Sequence, residues 1–201
     1  MSANFLEAMA DSSRRRVASA RHRVRDDVVL ERARREPPPP ALVLHPHFDV
    51  IAEVKMRSPA TGADAAPIGD LRGRVDAYAA GGAAAVSVLT EPSRFDGSIV
   101  HLATAARALE EARIPAMRKD FLVDPYQLAE ARIAGAGGAL LILRLLSRAE
   151  AESLVVFARG LGLFVLLETF DESDLRTARA IVRTLGTEGI LVGVNCRDLA
   201  T

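Results

Sequence analysis

The sequence has little of several features that would each indicate a class of protein. It contains one cysteine, Cys196, which excludes a disulfide framework within the chain and suits a reducing compartment. Acidic and basic residues balance at 26 each, so no bulk charge attracts nucleic acid or an acidic membrane surface. The first residues lack the basic-then-apolar order of a signal peptide, and no apolar run reaches membrane-spanning length. We therefore expect a cytoplasmic protein that binds neither nucleic acid nor membrane.

Lysine is nearly absent from this chain. Of the 26 basic residues, 24 are arginine and two are lysine, Lys55 and Lys119. Arginine and lysine serve about equally well on a solvated surface, so codon bias alone would account for the excess of arginine. An ammonium group, however, can have its pKa tuned by burial in a way that a guanidinium cannot. Both lysines lie where a predicted strand ends, and we therefore interpret them as functional rather than as strays left by codon bias.

Residues 1–47 are predicted to form a helical extension in front of the main domain. Apolar residues recur among charges at roughly helical spacing over residues 5–36, which predicts one helix. The prolines at 37–40 end that helix and act as a stiff spacer. The run Arg14, Arg15 and Arg16 is typical of a solvated helix face, with an anion-binding arm as the alternative.

Residues 48–201 are predicted to be a parallel α/β domain. The predicted strands lie at about 49–55, 84–89, 114–118, 139–143, 163–167 and 189–194, and the predicted helices at 71–80, 99–112, 125–134, 149–159 and 172–185. Strands separated by single helices imply a parallel sheet with right-handed crossovers. Glycines between helix and strand, such as Gly138 and Gly186, are predicted to cap helices.

The spacing of these units favours a (β/α)8 barrel of the TIM type. Such a barrel needs eight units and roughly 250 residues, whereas six units are visible here, so we expect the barrel to be C-terminally incomplete within this chain. A doubly wound open sheet is the rival. It usually has a glycine-rich loop after the first strand, and the KMRSPATG segment at 55–62 does not match that pattern.

The first predicted strand carries a charged pair within an apolar run. Glu53 and Lys55 are two residues apart, so both side chains point to the same side of the strand. A charged pair on an otherwise apolar strand is costly unless it is paired or used. Lys55 lies near the carboxyl end of the strand, where parallel α/β folds build their sites. This pair is therefore a candidate site.

Other predicted strands bring polar residues to the same edge. A strand-end salt bridge would explain any one of them, but five strands together favour a site. A buried lysine can act as a general acid or Schiff-base amine, and a glutamate in an apolar mouth can move protons. No His or Cys grouping has metal-ligand spacing, so no metal is expected. The additional strand-end residues are Thr90, Glu91, Lys119, Asp120, Glu168, Asn195 and Arg197.

Five stretches of the sequence resemble the indole-3-glycerol phosphate synthase family of tryptophan biosynthesis. Those at 50–59 and 118–127 are highly specific when they occur together. With the helical extension, the resemblance covers nearly the whole chain, and it implies a (β/α)8 barrel with an N-terminal helical segment and no cofactor. The matching stretches are VIAEVKMRSP at 50–59, SVLTEPSRFDGS at 87–98, RKDFLVDPYQ at 118–127, LLE at 166–168 and GVNCRDL at 193–199.

The resemblance also implies a reaction and the residues that perform it. The family converts 1-(o-carboxyphenylamino)-1-deoxyribulose 5-phosphate to indole-3-glycerol phosphate, releasing CO2 and water. By the matching motifs, Lys119 is similar to the general acid of ring closure, and Glu168 to the base or proton relay of the dehydration. Glu53 resembles the carboxylate that orients the site and assists the chemistry, and Lys55 the cation that meets the substrate's anionic groups.

The remaining matches concern substrate binding. Phe95 and Phe121 would lie against the anthranilate ring of the phosphorylated substrate, although plain core packing explains two phenylalanines equally well. Residues that resemble the substrate-holding group of the family are Ser58, Asn195 and Arg197.

The sequence also departs from the family pattern. Met56 stands where the family usually has a basic residue, and the Glu-Ser-Gly and Gly-Ser segments that complete the phosphate site are not within these 201 residues. Two hypotheses follow. The chain is an indole-3-glycerol phosphate synthase, or it is a catalytically impaired barrel fragment that binds an anionic ligand or a partner chain. In either case, incomplete barrel edges would favour self-association.

Overall fold

The chain folds around a parallel sheet of six strands. The computed structural model describes residues 3–57 and 70–196. Each strand pairs in parallel with the strand that follows it along the chain, and the sheet curls into part of a barrel. This confirms the predicted (β/α)8-type fold with six visible units. The strands are β1 (Ile51–Val54), β2 (Ala85–Leu89), β3 (Ala116–Lys119), β4 (Gly138–Ile142), β5 (Phe164–Thr169) and β6 (Ile190–Val194).

Helices connect the strands, and two further helices precede the sheet. A 3₁₀ turn, Leu143–Leu145, follows β4. None of the helices within the described ranges is both long and apolar enough to cross a membrane. The helices are α1 (Ala3–Arg23), α2 (Asp26–Arg35), α3 (Leu71–Ala80), α4 (Pro92–Phe95), α5 (Ile99–Leu109), α6 (Pro125–Ile133), α7 (Arg148–Gly160) and α8 (Glu172–Leu185).

The two faces of the sheet bury different apolar clusters, as the period of two along a strand requires. Residues such as Val86 and Leu141 pack in the larger cluster, together with residues of the surrounding helices. On the other face, Met117 and Phe164 pack in a second cluster that also contains Leu6 of α1. Helix α1 therefore packs in the second cluster, to which residues of β3 and β5 also belong.

The single helix predicted over residues 5–36 is wrong, because the structure has two helices there. Arg25 has an extended backbone, with φ −68° and ψ 154°, between α1 and α2. Asp26 and Asp27 form the first turn of α2, where negative charge is stabilised by the helix dipole. The Tyr126 hydroxyl donates a 3.1 Å hydrogen bond to the Val24 carbonyl at the break. The apolar spacing continues across the break, so periodicity could not predict it.

The start of the third strand also differs from the prediction. The sequence predicts a strand from Ile114, whereas β3 begins at Ala116. Pro115 has no N–H to donate to a neighbouring strand. The N–H of Ile114 is bonded to the Leu109 carbonyl in the turn after α5. The strand therefore starts after the proline and ends at Lys119.

Two of the glycines illustrate different reasons for their positions. Gly186 caps α8 with a φ of 80°, a conformation that disfavours a side chain, so its prediction as a helix cap is confirmed. Gly138 is instead the first residue of β4, and its prediction as a cap is wrong. A Cβ added at Gly138 would lie 2.3 Å from ring atoms of Phe164 on β5. Glycine is needed there because the two strands approach closely.

Candidate active site

A cavity of about 190 Å³ lies at the carboxyl ends of the strands. Seven of the nine predicted site residues line it, and they come from five different strands or the loops after them. The other two, Ser58 and Arg197, lie outside the described residues. The lining residues are Glu53, Lys55, Leu89, Phe95, Lys119, Asp120, Phe121, Ile142, Glu168 and Asn195.

The two lysines of the chain both lie in this cavity, and each is paired with a glutamate. Lys119, the last residue of β3, has its Nζ 3.4 Å from Oε1 of Glu168 on β5. Both side chains are largely buried, with 24% and 13% of their surface exposed. Strand β4 separates β3 from β5, so this pair spans the mouth of the sheet rather than adjacent strands. It places an amine and a carboxyl group, the two kinds of group that general acid–base catalysis uses, side by side in the wall of the cavity.

The second pair lies on the first strand. Lys55 Nζ is 3.1 Å from Glu53 Oε1, and about a third of each side chain is exposed. Both line the cavity, as the two-residue spacing predicts. This pair is more exposed to solvent than the Lys119–Glu168 pair. It is therefore better suited to contacting a charged group of a ligand than to transferring a proton in a site shielded from water.

An amide group holds the carboxylate of Glu168 from the other side. Asn195, just after β6, donates a 3.2 Å hydrogen bond from Nδ2 to Glu168 Oε1. The same oxygen therefore has Lys119 and Asn195 as partners. Two donors on one oxygen orient the carboxylate, and among the described residues no hydrogen bond reaches its second oxygen.

One wall of the cavity is aromatic. The ring centroids of Phe95 and Phe121 lie 6.4 Å apart with planes inclined by 34°. Phe5 of α1 packs edge-on against Phe121, with centroids 5.9 Å apart. Phe95 belongs to α4, a four-residue helix that the sequence did not predict. Both phenylalanines line the cavity and also pack in the second apolar cluster, so the wall presents apolar surface to the cavity.

Asp120, which also lines the cavity, is the centre of a buried polar network. Arg16 of α1 donates to both of its carboxylate oxygens at 3.0 and 2.8 Å. Thr90 donates to Oδ2 at 2.8 Å, and Arg118 approaches the same oxygen at 3.2 Å. Burial alone would raise the pKa of Asp120, but the hydrogen bond from Arg16 and the charges of Arg118 and Arg16 hold it below its ordinary value.

Arg16 corrects one sequence interpretation. The Arg14–Arg16 run was expected to be a solvated face, and Arg14 pairs on the surface with Asp11. Arg16 instead turns inward, with 28% of its side chain exposed, and ties α1 to the end of β3. Sequence reasoning also missed the contact of Phe5. Both contacts join residues more than 100 positions apart, so no local pattern could have revealed them.

Two other predicted strand-end residues lie outside the cavity. Thr90 and Glu91 are buried at the end of β2 but do not line the cavity. Among the described residues, no group of three or more His, Cys, Asp and Glu side chains could hold a metal ion. The arrangement that remains is a set of paired acids and bases with an aromatic wall.

This combination defines a class of protein. A (β/α) barrel fold with lysine–glutamate pairs gathered in one cavity at the carboxyl ends of its strands has the architecture of a barrel enzyme. The sequence matches the family model for indole-3-glycerol phosphate synthase over residues 6–201. The chain belongs to the indole-3-glycerol phosphate synthase family, a family of carboxy-lyases.

Curated relatives carry the same family name over most of the chain. The indole-3-glycerol phosphate synthase of Mycolicibacterium smegmatis is 40% identical over 203 residues, covering 100% of this chain and 71% of that protein. The Nocardioides protein of the same name is 48% identical over 161 residues, covering 78% of this chain and 58% of that protein. The Parafrankia protein is 38% identical over 201 residues, covering 98% and 71%.

Proposed function

We propose that this chain converts 1-(o-carboxyphenylamino)-1-deoxyribulose 5-phosphate to indole-3-glycerol phosphate, with loss of CO2 and water. The observation that carries the proposal is the Lys119–Glu168 pair, in which an ammonium and a carboxylate from separate strands meet 3.4 Å apart beside an aromatic wall. The reaction needs an acid, a base and a place for an aromatic ring. It involves no net oxidation or reduction, so it needs no redox cofactor.

Ring closure is assigned to Lys119. The aromatic carbon that bears the carboxylate attacks the ketone, and negative charge develops on the ketone oxygen. An ammonium beside that oxygen stabilises the transition state and supplies the proton. Lys119 is fixed for this role because it ends β3 and its Nζ is already held by Glu168. Loss of CO2 from the same carbon then leaves the electron pair of the broken carbon–carbon bond in the ring, which restores its aromaticity.

Dehydration is assigned to Glu168. The hydroxyl left by ring closure must take up a proton to depart as water, and the adjacent carbon must lose one to complete the indole, so a group that relays a proton from the carbon to the hydroxyl balances the step. Glu168 has one oxygen held by Lys119 and Asn195, so the carboxylate is oriented for proton transfer through its other oxygen. Its side chain is 13% exposed, which limits competition from bulk water.

The remaining cavity residues are assigned to binding and orientation. Glu53 orients the site and assists the chemistry, and Lys55, more exposed than Lys119, meets an anionic group of the substrate. Phe95 and Phe121 contact the anthranilate ring. Ser58 and Arg197 stay predictions as substrate-holding residues, as does a cytoplasmic location.

A direct assay tests the proposed function. Protein expressed from its complete gene is incubated with substrate labelled in the carboxyl carbon, and indole absorbance and labelled CO2 are followed together. We expect the two products to form in equal amounts. Release of CO2 without indole would contradict a coupled ring closure, and the absence of both products would contradict the proposal as a whole.

A further inference from the structure

We propose that Glu91 is a positioning residue that sets the place of Phe95 in the aromatic wall, and through it the affinity for the aromatic part of the substrate. The identity of that aromatic part rests on the proposed function. The effect of Glu91 on the position of Phe95 does not depend on the proposed function. Glu91 lies at the end of β2, does not line the cavity, and has no surface exposed to solvent.

The carboxylate of Glu91 is bonded to the short helix that carries Phe95. Its Oε1 accepts from the Ser93 N–H at 2.9 Å and from the Ser93 hydroxyl at 2.6 Å. Its Oε2 accepts from the Arg94 N–H at 2.7 Å. Within the described part of the chain, Glu91 forms no ion pair with an arginine or lysine. Its hydrogen bonds therefore go to α4 itself.

Helix α4 depends on this cap more than a longer helix would. It contains four residues, Pro92–Phe95, and so short a helix does not persist through its own hydrogen bonds. Pro92 fills the first position without an N–H, and the next two N–H groups are the ones that Glu91 accepts. Without the carboxylate, the N–H groups of Ser93 and Arg94 would lose their protein acceptor, and the turn would lose the bonds that hold its first residues.

The residues after α4 are fixed by backbone conformation and hydrogen bonding. Asp96 has a left-handed backbone with φ 50°, and the Gly97 N–H donates to the Glu91 carbonyl at 2.9 Å. A Cβ at Gly97 would lie 2.6 Å from the Leu89 carbonyl oxygen, so the turn has no room to slide. The Glu91 side chain holds the opposite, N-terminal end of α4, and Phe95 lies between the two fixed ends.

The same turn also holds the loop that follows β1. The Arg57 N–H donates to the Phe95 carbonyl at 3.1 Å, and Arg57 Nε lies 3.0 Å from Asp96 Oδ2. Lys55 is two residues before Arg57 and lines the cavity. A displaced α4 would therefore disturb the aromatic wall directly, whereas Lys119 and Glu168 stand on β3 and β5 and their side chains are paired with each other.

Steady-state kinetics of three variants test the proposal. In Glu91→Gln the buried side-chain amide must point its NH2 at one of the N–H groups that Glu91 accepts, so we expect KM to rise about tenfold while kcat changes less than about threefold. Aspartate is a good N-cap, and Asp124 and Asp171 already cap helices of this chain, so Glu91→Asp should restore KM. Ser147→Ala, which removes the cap of α7 away from the cavity, is the control and should leave KM unchanged.

Coupling to Phe95 distinguishes positioning from general destabilisation. If Glu91 acts through Phe95, adding Glu91→Gln to Phe95→Ala should raise KM no further than Phe95→Ala does alone. Effects that multiply in the double variant would overturn the proposal, as would a folded Glu91→Gln protein with unchanged KM. Ser93→Ala removes one of the Glu91 bonds and is the milder variant if Glu91→Gln does not fold. An unchanged KM for Ser93→Ala would then overturn the proposal.

A spectroscopic measurement is independent of catalysis. The sequence contains no tryptophan, so Phe95→Trp introduces a single reporter. We expect Glu91→Gln, or Ser93→Ala in its place, to shift the emission of this reporter to longer wavelength and to increase its quenching by acrylamide. Identical spectra would overturn the proposal. If the proposed function fails but the emission still shifts, Glu91 positions residue 95 and only the substrate is misassigned.

Discussion

At the residue scale, the catalytic assignment depends on how individual carboxylates are held. Glu168 and Asp120 both have well-defined partners, but they differ in what those partners leave free. Glu168 has donors on one oxygen and opens into the cavity. Asp120 has donors on both oxygens, including the Phe121 N–H at 2.9 Å, and is almost fully buried. We therefore propose that Glu168 transfers protons and that Asp120 holds the structure.

Glu168→Gln should therefore separate chemistry from binding. Glutamine is nearly isosteric with glutamate and can keep the contacts to Asn195 and Lys119, but it cannot exchange a proton. We expect kcat to fall by about 100-fold or more, with substrate affinity changed far less. Equilibrium binding of substrate and pre-steady-state rates measure the two quantities separately. If affinity collapsed while kcat persisted, Glu168 would be a binding group.

Asp120→Asn should lower stability and alter its pH dependence. The change leaves Arg16 and Arg118 without their shared carboxylate in a buried place, which we expect to cost about 3–5 kcal/mol of unfolding free energy at pH 7. Because the pKa of Asp120 is lowered in the folded state, its stabilisation is complete above the pKa of the unfolded chain, about 4, and is lost as pH falls through the folded-state pKa. The variant should lack that acidic slope.

Urea unfolding at several pH values measures this effect. The matched control is Asp11→Asn, which removes an exposed partner of Arg14 on the same helix as Arg16. We expect the control to stay within about 0.5 kcal/mol of the natural chain. Equal costs for the two variants would show that the buried network contributes no more than a surface ion pair.

At the element scale, β4 and β5 approach each other closely where their pairing begins. Gly138 faces Phe164, and a Cβ at Gly138 would lie 2.3 Å from the phenylalanine ring. Gly138→Ala should therefore lower stability by about 1–3 kcal/mol through overpacking. Because these strands carry Glu168 and flank Lys119, activity should fall with it.

A second substitution identifies the cause. Adding Phe164→Leu removes the ring and should recover part of the loss in Gly138→Ala. Gly160→Ala is the control, since a Cβ there meets no atom within 4 Å and Gly160 ends α7. It should be neutral or slightly stabilising. Thermal unfolding of the four proteins measures both effects, and an undestabilised Gly138→Ala would show that Phe164 moves aside freely.

The elements also show what the sequence could reveal. The alternation of strands and helices follows from periodicity and glycine spacing, and the period of two places Glu53 and Lys55 in one cavity. Helix α4 was not predictable because four residues show no helical period, and the break at Arg25 interrupts no apolar pattern. The contacts of Arg16 and Phe5 depend on how α1 packs across the strand ends, which is information that only tertiary structure contains.

At the scale of the whole molecule, the outer strands are the exposed part of the fold. Within the described residues, β1 and β6 each pair on one side only. Apolar side chains next to these edges are exposed, including Phe48, Val50, Val192 and Val194. Unpaired strand edges with apolar flanks promote pairing between chains. We propose that these 201 residues self-associate when expressed alone.

Light scattering over a range of protein concentrations tests this proposal. We expect the apparent mass to rise with concentration. Adding about 50 residues that supply the last two βα units of the family barrel should give a monodisperse protein, because closure removes both edges. A 201-residue chain that stays monomeric would show that its edges are protected without those units.

The most direct test of the central claim is the kcat of Lys119→Arg beside that of Lys55→Arg, in protein expressed from its complete gene. Both changes keep the positive charge, but arginine is a poor proton donor. If Lys119 is the general acid of ring closure, Lys119→Arg should lose on the order of 100-fold or more in kcat, whereas Lys55→Arg should mainly change KM. Near-normal turnover by Lys119→Arg would contradict the account.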